Sequence, residues 1–147
     1  MLLTGTHTRT LDQKKRLALP KRVREQLDEP KTLFVTPGPD QCLWVYAEAG
    51  LEQLAQKLDQ TPATDAEGRV FRRLYFAQIE SVDVDRTGRI LIPEHQKEFA
   101  GLKKQVIFTG VSDRVEVWNA ERWGRYKRRI DANAEKLAKK LGEIGAL

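Results

Sequence analysis

One phrase occurs twice in this sequence, as LDQKKRLALPKRV at residues 11–23 and as VDRTGRILIPEHQ at residues 84–96. Aligning the two at an offset of 73 residues matches Asp12 with Asp85, Arg16 with Arg89, and Pro20 with Pro93. Similarity at a fixed offset is the signature of a repeated structural unit. Because only two copies exist, we interpret the repeat as a duplicated half rather than a solenoid.

Both copies predict the same order of elements. An apolar strand ends at a proline, which suits the first turn of a short helix because that position needs no backbone N–H. Two strands rich in valine, phenylalanine and tryptophan follow, separated by a turn. The predicted strands are 17–19, 32–36 and 42–46, then 90–92, 105–109 and 115–118; the predicted short helices are 21–27 and 94–99.

After each copy the apolar spacing changes from that of a strand to that of a helix. Leucines recur on one face of the segment that follows the first copy, and a second helix is predicted at 65–78. A single basic helix is predicted at about 120–141. The predicted division is a first half at 1–50, a helical connector at 51–79, a second half at 80–119, and a C-terminal helix at 120–147.

Three or four short strands cannot form a stable sheet alone, because each unit has open edges and a face to bury. Two such units in one chain can pair their edges. We therefore expect an α+β protein in which each phrase supplies half of a β-barrel, with flanking helices.

The charges of the chain are unevenly distributed. The chain of 147 residues carries a formal net charge of +5, while residues 9–24 alone hold seven lysines and arginines against one aspartate. Such a basic segment indicates a polyanionic partner such as nucleic acid. The single cysteine, Cys42, excludes an internal disulfide and fits a reducing cytoplasm. No apolar run approaches the ~20 residues that cross a bilayer, and we expect neither a signal peptide nor a membrane partner.

The repeated Asp-x-x-x-Arg motif has two interpretations. An aspartate at the start of a turn accepts backbone N–H groups and can pair with the arginine. Such pairs are often surface salt bridges worth only about 0–1 kcal/mol. Alternatively, the loops present cations to phosphates and base edges, for which the guanidinium fork is suited. The candidate residues are Lys14, Lys15, Arg16 and Arg22 in the first patch and Arg86 and Arg89 in the second, with Asp12, Asp85 and Gly88 shaping the loops.

Together, residues 10–20 and 85–93 make the chain resemble the MraZ family of bacterial transcriptional regulators, which carry two AbrB/SpoVT-like units. The resemblance covers nearly the whole chain. It implies a swapped-hairpin, double-split β-barrel formed by two pseudo-symmetric halves. It also implies binding of double-stranded DNA through Asp12/Arg16 and Asp85/Arg89, ring-like homo-oligomers, and repression at direct repeats upstream of the division and cell-wall gene cluster.

One position departs from the family pattern. Lys15 stands where the first motif normally has glycine, whereas the second copy keeps Gly88. Lysine disfavours a positive φ, so the sequence leaves the shape of the first turn open. The change adds a cation where DNA is expected, and we interpret it as preserving binding.

Other classes of function have less support in the sequence. An antitoxin-like module that binds a protein through the acidic segment 40–67 is the main alternative. His7 and His95 have no ligand cluster around them, so we expect no metal site and no cofactor. We see no nucleophile with a base, and we expect neither a catalytic residue nor a small-molecule substrate.

Overall fold

The computed structural model describes residues 2–147. Within them the chain is an α+β protein with a mostly antiparallel sheet and six helices, and the two halves follow the same order. The first half contains β1 (Thr6–Thr10), β2 (Leu17–Ala18), α1 (Lys21–Gln26), β3 (Thr32–Pro37), β4 (Leu43–Tyr46), α2 (Glu48–Asp59) and α3 (Ala66–Tyr75). The second contains β5 (Glu80–Asp83), β6 (Arg89–Ile90), α4 (Glu94–Ala100), β7 (Gln105–Gly110), β8 (Val115–Asn119), α5 (Ala120–Ala132) and α6 (Ala134–Glu143).

The two halves exchange their outer strands. In the six-stranded sheet the order is β1-β7-β8-β4-β3-β5, so the first strand of each half pairs with a strand of the other half. The registers are equivalent, because Thr10 lies opposite Gln105 in one pair and Asp83 lies opposite Thr32 in the other, each shifted by the same 73 residues. Pairing of the edges between the two halves therefore occurs as the duplication predicted.

The repeated phrases meet in a second, smaller pairing. Strands β2 and β6 form an antiparallel ribbon in which Leu17 lies opposite Ile90, the same position of the two copies. Pro20 and Pro93 cap the helices that follow the two strands, which keeps both strands short because proline cannot donate to the ladder. The sheet itself is open, with β1 and β5 at its edges, and these pairings do not close it into a barrel.

One core joins the ribbon and the sheet. Leu17 and Ile90 from the ribbon pack in the same cluster as Val35 and Phe108 from the sheet, and all four side chains are buried. Removing this apolar surface from water contributes roughly 25 cal/mol per Å². Neither half can form this core by itself, since each contributes side chains to it.

The structure corrects some of the predicted elements. Strands β1 and β5 were not predicted, and the single helix expected at 120–141 is two helices. Asn133 ends the first of them: its side-chain amide donates to the carbonyl of Arg129 at 2.8 Å, and its φ of −114° leaves the helical range. Asparagine favours such local side-chain bonds over a continuing helix.

Candidate nucleic-acid interface

The two repeated loops have the same backbone turn. In the first loop, the N–H of Asp12 donates to the carbonyl of Arg16 at 2.9 Å, and the N–H of Lys15 donates to the carbonyl of Asp12 at 2.9 Å. In the second loop, Asp85 donates to Arg89 at 2.9 Å and Gly88 donates to Asp85 at 3.0 Å. The two loops therefore have the same pattern of backbone hydrogen bonds.

Lysine adopts the conformation that glycine adopts in the other copy. Lys15 has a φ of 62° and Gly88 a φ of 78°. The left-handed region is unfavourable for lysine, but the Asp12 carboxylate accepts the backbone N–H groups of Lys14 and Arg16 and so holds the turn in place. The shape of the first turn, which the sequence left open, is thus the same as that of the second.

Each aspartate binds the backbone of its own loop. One carboxylate oxygen of Asp12 accepts the N–H groups of Lys14 and Arg16, both at 2.8 Å. The equivalent oxygen of Asp85 accepts the N–H groups of Thr87 and Arg89, both at 2.9 Å. These bonds orient the arginine that follows in each loop.

The second oxygen of each aspartate contacts both arginines. The Asp12 oxygen lies 3.2 Å from Nε of Arg16 and 3.2 Å from Nη1 of Arg89 in the other half. The Asp85 oxygen lies 3.5 Å from Nη1 of Arg16 and 3.7 Å from Nε of Arg89. We call Asp12, Arg16, Asp85 and Arg89 the four-residue lock, because it ties one loop to the other.

The lock is accessible and has no net charge. Its side chains are between 27% and 36% exposed. Around it, Lys14, Lys15 and Arg86 are exposed at the loop tips, so the positive charge of this surface comes from them. Because the two arginines already face carboxylates, they add little to the net charge of this surface.

The structure separates Arg22 from this group. Its guanidinium donates to the hydroxyl of Thr4 at 3.0 Å, which ties helix α1 to the N-terminal segment. It remains exposed, but it makes no hydrogen bond to the four-residue lock.

Sequence reasoning missed two neighbours of the loops. A Cβ atom at Gly88 would lie 2.7 Å from Nη1 of Arg24, so Arg24 packs directly on the second loop. The equivalent residue of the other half, Lys97, instead pairs with Glu94 at 2.9 Å. Lys97 also lines a cleft together with Lys15 of the first loop. Each half therefore contributes a cation near the other half's loop, and the only sequence signal was that residues 24 and 97 occupy matching positions.

The lock makes stability depend on pH. Backbone hydrogen bonds from Arg16 and Arg89 lower the pKa of Asp12 and Asp85 below the usual 3.8. A carboxylate whose pKa is lower in the folded state than in the unfolded state stabilises the fold at any pH above its unfolded-state pKa. That stabilisation is lost as the pH falls through the folded-state pKa. We expect the urea midpoint to fall as pH decreases below about 4, and Asp12→Asn with Asp85→Asn to flatten this dependence. An unchanged pH profile in the double variant would contradict this role of the lock.

Cys42 and the helices bear on whether the chain has a reactive thiol or a membrane-spanning segment. Burial raises the pKa of the Cys42 thiol to about 12, so it packs as a small apolar residue in this fold. Among residues 2–147, no helix is both long and apolar enough to cross a membrane.

The fold and the loops define a class: duplicated chains whose halves exchange strands and bring two Asp-x-x-x-Arg loops together. The family described as "MraZ protein, putative antitoxin-like" matches the chain in two units, at residues 2–74 and 75–143. The chain belongs to the MraZ family.

Relatives named "Transcriptional regulator MraZ" match over almost their full length. The protein of Heliobacterium modesticaldum is 39% identical over 140 residues, which are 95% of this chain and 96% of that protein. The protein of Caldanaerobacter subterraneus subsp. tengcongensis is 40% identical with the same coverage of both chains. That of Desulforamulus reducens is 38% identical over 143 residues, 97% of this chain and 99% of its own.

Proposed function

We propose that this chain is a sequence-specific DNA-binding transcriptional regulator that represses at direct repeats upstream of the division and cell-wall gene cluster, including its own gene. The observation that carries the proposal is the four-residue lock, which brings two arginine-bearing loops together inside a rim of exposed cations. The names of the relatives support the regulatory role. Under this proposal the protein acts in the cytoplasm, on the nucleoid, and catalyses no reaction.

The proposed roles of the residues follow from their geometry. Arg16 and Arg89 would reach base edges with the N–H groups that the lock leaves free, since arginine forks match guanine O6 and N7. Lys14, Lys15 and Arg86 would bind phosphates, with Arg22 as an outer phosphate contact. Asp12, Asp85 and Gly88 would keep the loops in shape. The ribbon and the sheet, which share one core, would together correspond to the double-split barrel that the family resemblance implies.

Footprinting on the DNA upstream of the protein's own gene tests this function. We expect protection at short direct repeats, with an affinity that falls steeply as salt increases. The logarithmic slope should be about −0.9 for each phosphate contact. The antitoxin-like alternative predicts neither protection nor salt dependence of this kind, and a chain without sequence preference would refute the proposal.

Complementary charges support assembly into a ring. A groove of about 840 Å³ between β8, α5 and α6 is lined by five cations beside Trp118, Tyr126 and Leu137, with Asp40 at its side. Residues 120–140 hold eight lysines and arginines against three acids, whereas residues 48–67, the part of the acidic segment outside the groove, hold five acids against one lysine. Different surfaces that fit each other produce head-to-tail contacts, which form a ring when the rotation between neighbouring subunits closes.

Reversing charge in this groove should break the assembly. We expect Arg125→Glu with Arg129→Glu to reduce the mass measured by sedimentation velocity, because the groove would then repel the acidic segment. Lys127→Glu with Lys139→Glu is the matched control, since these lysines do not line the groove. Equal masses for both double variants would count against the groove as a subunit contact.

A further inference from the structure

The two loops differ at one position next to the lock. Thr87 in the second loop corresponds to Lys14 in the first. The Thr87 hydroxyl donates to the Asp85 carboxylate at 2.8 Å and accepts Nε of Arg89 at 2.7 Å. One hydroxyl therefore bridges the aspartate and the arginine of the same loop, an arrangement that a lysine side chain cannot make.

The arginine of the first loop is held differently. Nε of Arg16 donates to the Asp12 carboxylate at 3.2 Å, and its Nη1 donates to Asp85 at 3.5 Å. Nε of Arg89 instead has the 2.7 Å bond to a neutral oxygen, and its Nη1 donates to Asp12 at 3.2 Å. The guanidinium is a rigid plane. Because the hydrogen bonds at both Nε and Nη1 are shorter for Arg89 than for Arg16, the direction of the solvent-facing N–H groups of Arg89 is fixed more closely.

The first loop, whose arginine has the longer hydrogen bonds, carries more exposed cations than the second loop. The first loop exposes Lys14 and Lys15, whereas the second exposes Arg86 and the neutral Thr87. Lysine is a mobile point charge suited to phosphate attraction, while a fixed guanidinium is suited to recognising one arrangement of acceptors. The loop with more charge is thus the one with the less closely held arginine.

We propose that Thr87 is a positioning residue that directs Arg89 toward base edges, so that the second loop carries most of the sequence discrimination and the first most of the charge-driven affinity. This inference rests on the proposed DNA-binding function. Thr87 acts through Arg89 and needs no DNA contact of its own.

The test compares Thr87→Val, which keeps the shape but removes the hydroxyl, with Thr87→Ser, which keeps the hydroxyl. A randomised double-stranded oligonucleotide library selected with the full wild-type chain supplies the preferred sequence. We then measure binding to this sequence and to its single-base variants at several salt concentrations. Thr87→Val should reduce discrimination about tenfold at the bases read by one loop, within the range of a lost arginine–guanine contact. Its salt slope and melting temperature should stay unchanged, and Thr87→Ser should restore most of the discrimination.

Lys14→Val is the matched variant in the first loop, because it removes the charge without adding a hydroxyl that could position Arg16. It should reduce the salt slope by about 1, the amount expected for one phosphate contact, and should keep the discrimination of the wild type. The inference is overturned if Thr87→Val discriminates like the wild type, if Thr87→Ser gives no rescue, or if Lys14→Val loses as much discrimination as Thr87→Val. If the wild-type chain selects no sequence at all, the proposed function itself fails, which is a distinct result.

Discussion

Replacing Arg16 and Arg89 together by alanine is expected to lower the affinity for the proposed repeat DNA by about a hundredfold or more. Each well-formed arginine contact to a guanine contributes about 1–3 kcal/mol of discrimination. In addition, Asp12 and Asp85 lose the partners that neutralise them, and two unpaired carboxylates would then face the phosphates. An electrophoretic mobility titration of wild type and variant on the same repeat measures this effect.

Lysine at the same positions separates charge from geometry. Arg16→Lys with Arg89→Lys keeps both charges but loses the planar fork, so non-specific affinity should recover while the preference for the repeat does not. Lys139→Ala, on the exposed face of α6, should bind like the wild type. A double alanine variant that binds the repeat with unchanged affinity would refute the role of both arginines.

Truncating Phe108 to alanine should give the largest loss of stability. Phe108 lies on β7, is completely buried, and packs in the core shared by the two halves. Such truncations typically cost about 3–5 kcal/mol, because they remove apolar contacts and leave a cavity. The free energy of unfolding from urea titration, monitored by tryptophan fluorescence, measures the change.

The two halves should respond to this change together. Trp44 belongs to the first half and Trp118 to the second. Chains in which Trp123 and one of these two tryptophans are replaced keep a single indole and report on each half separately. We expect both transitions to move by the same amount, since β7 pairs with β1 of the first half. Phe99→Ala, at a side chain that is 40% exposed, should have a much smaller effect. A shift confined to the second half would mean that the halves unfold independently.

Much of the fold was predictable because the duplication is visible in the sequence. The apolar triplets, the prolines after them and the paired turns identified the ribbon and the inner strands. Strands β1 and β5 were missed because their sequences, THTRT and ESVD, are largely polar. Of these nine residues only Val82 is buried. They are strands because the other half supplies a partner, a tertiary effect that local propensity does not contain.

The site was predictable to the same degree. The spacing of the Asp-x-x-x-Arg motifs predicted that aspartate and arginine interact within each loop, and they do. The contacts between halves, from Arg16 to Asp85 and from Arg89 to Asp12, depend on how the loops meet in space. The bridging hydroxyl of Thr87 was missed for a different reason: threonine is common at exposed turn positions, where it usually has no further role.

Photo-cross-linking from the two loop tips tests the central claim, that both loops contact DNA from one surface. A photoreactive residue would replace Gln13 or Arg86, which occupy equivalent positions in the two loops, or Glu52 on α2 as a control. We predict that both loop positions cross-link to the repeat DNA at neighbouring nucleotides and that the control does not. Cross-links from the control position alone, with none from either loop, would contradict the account.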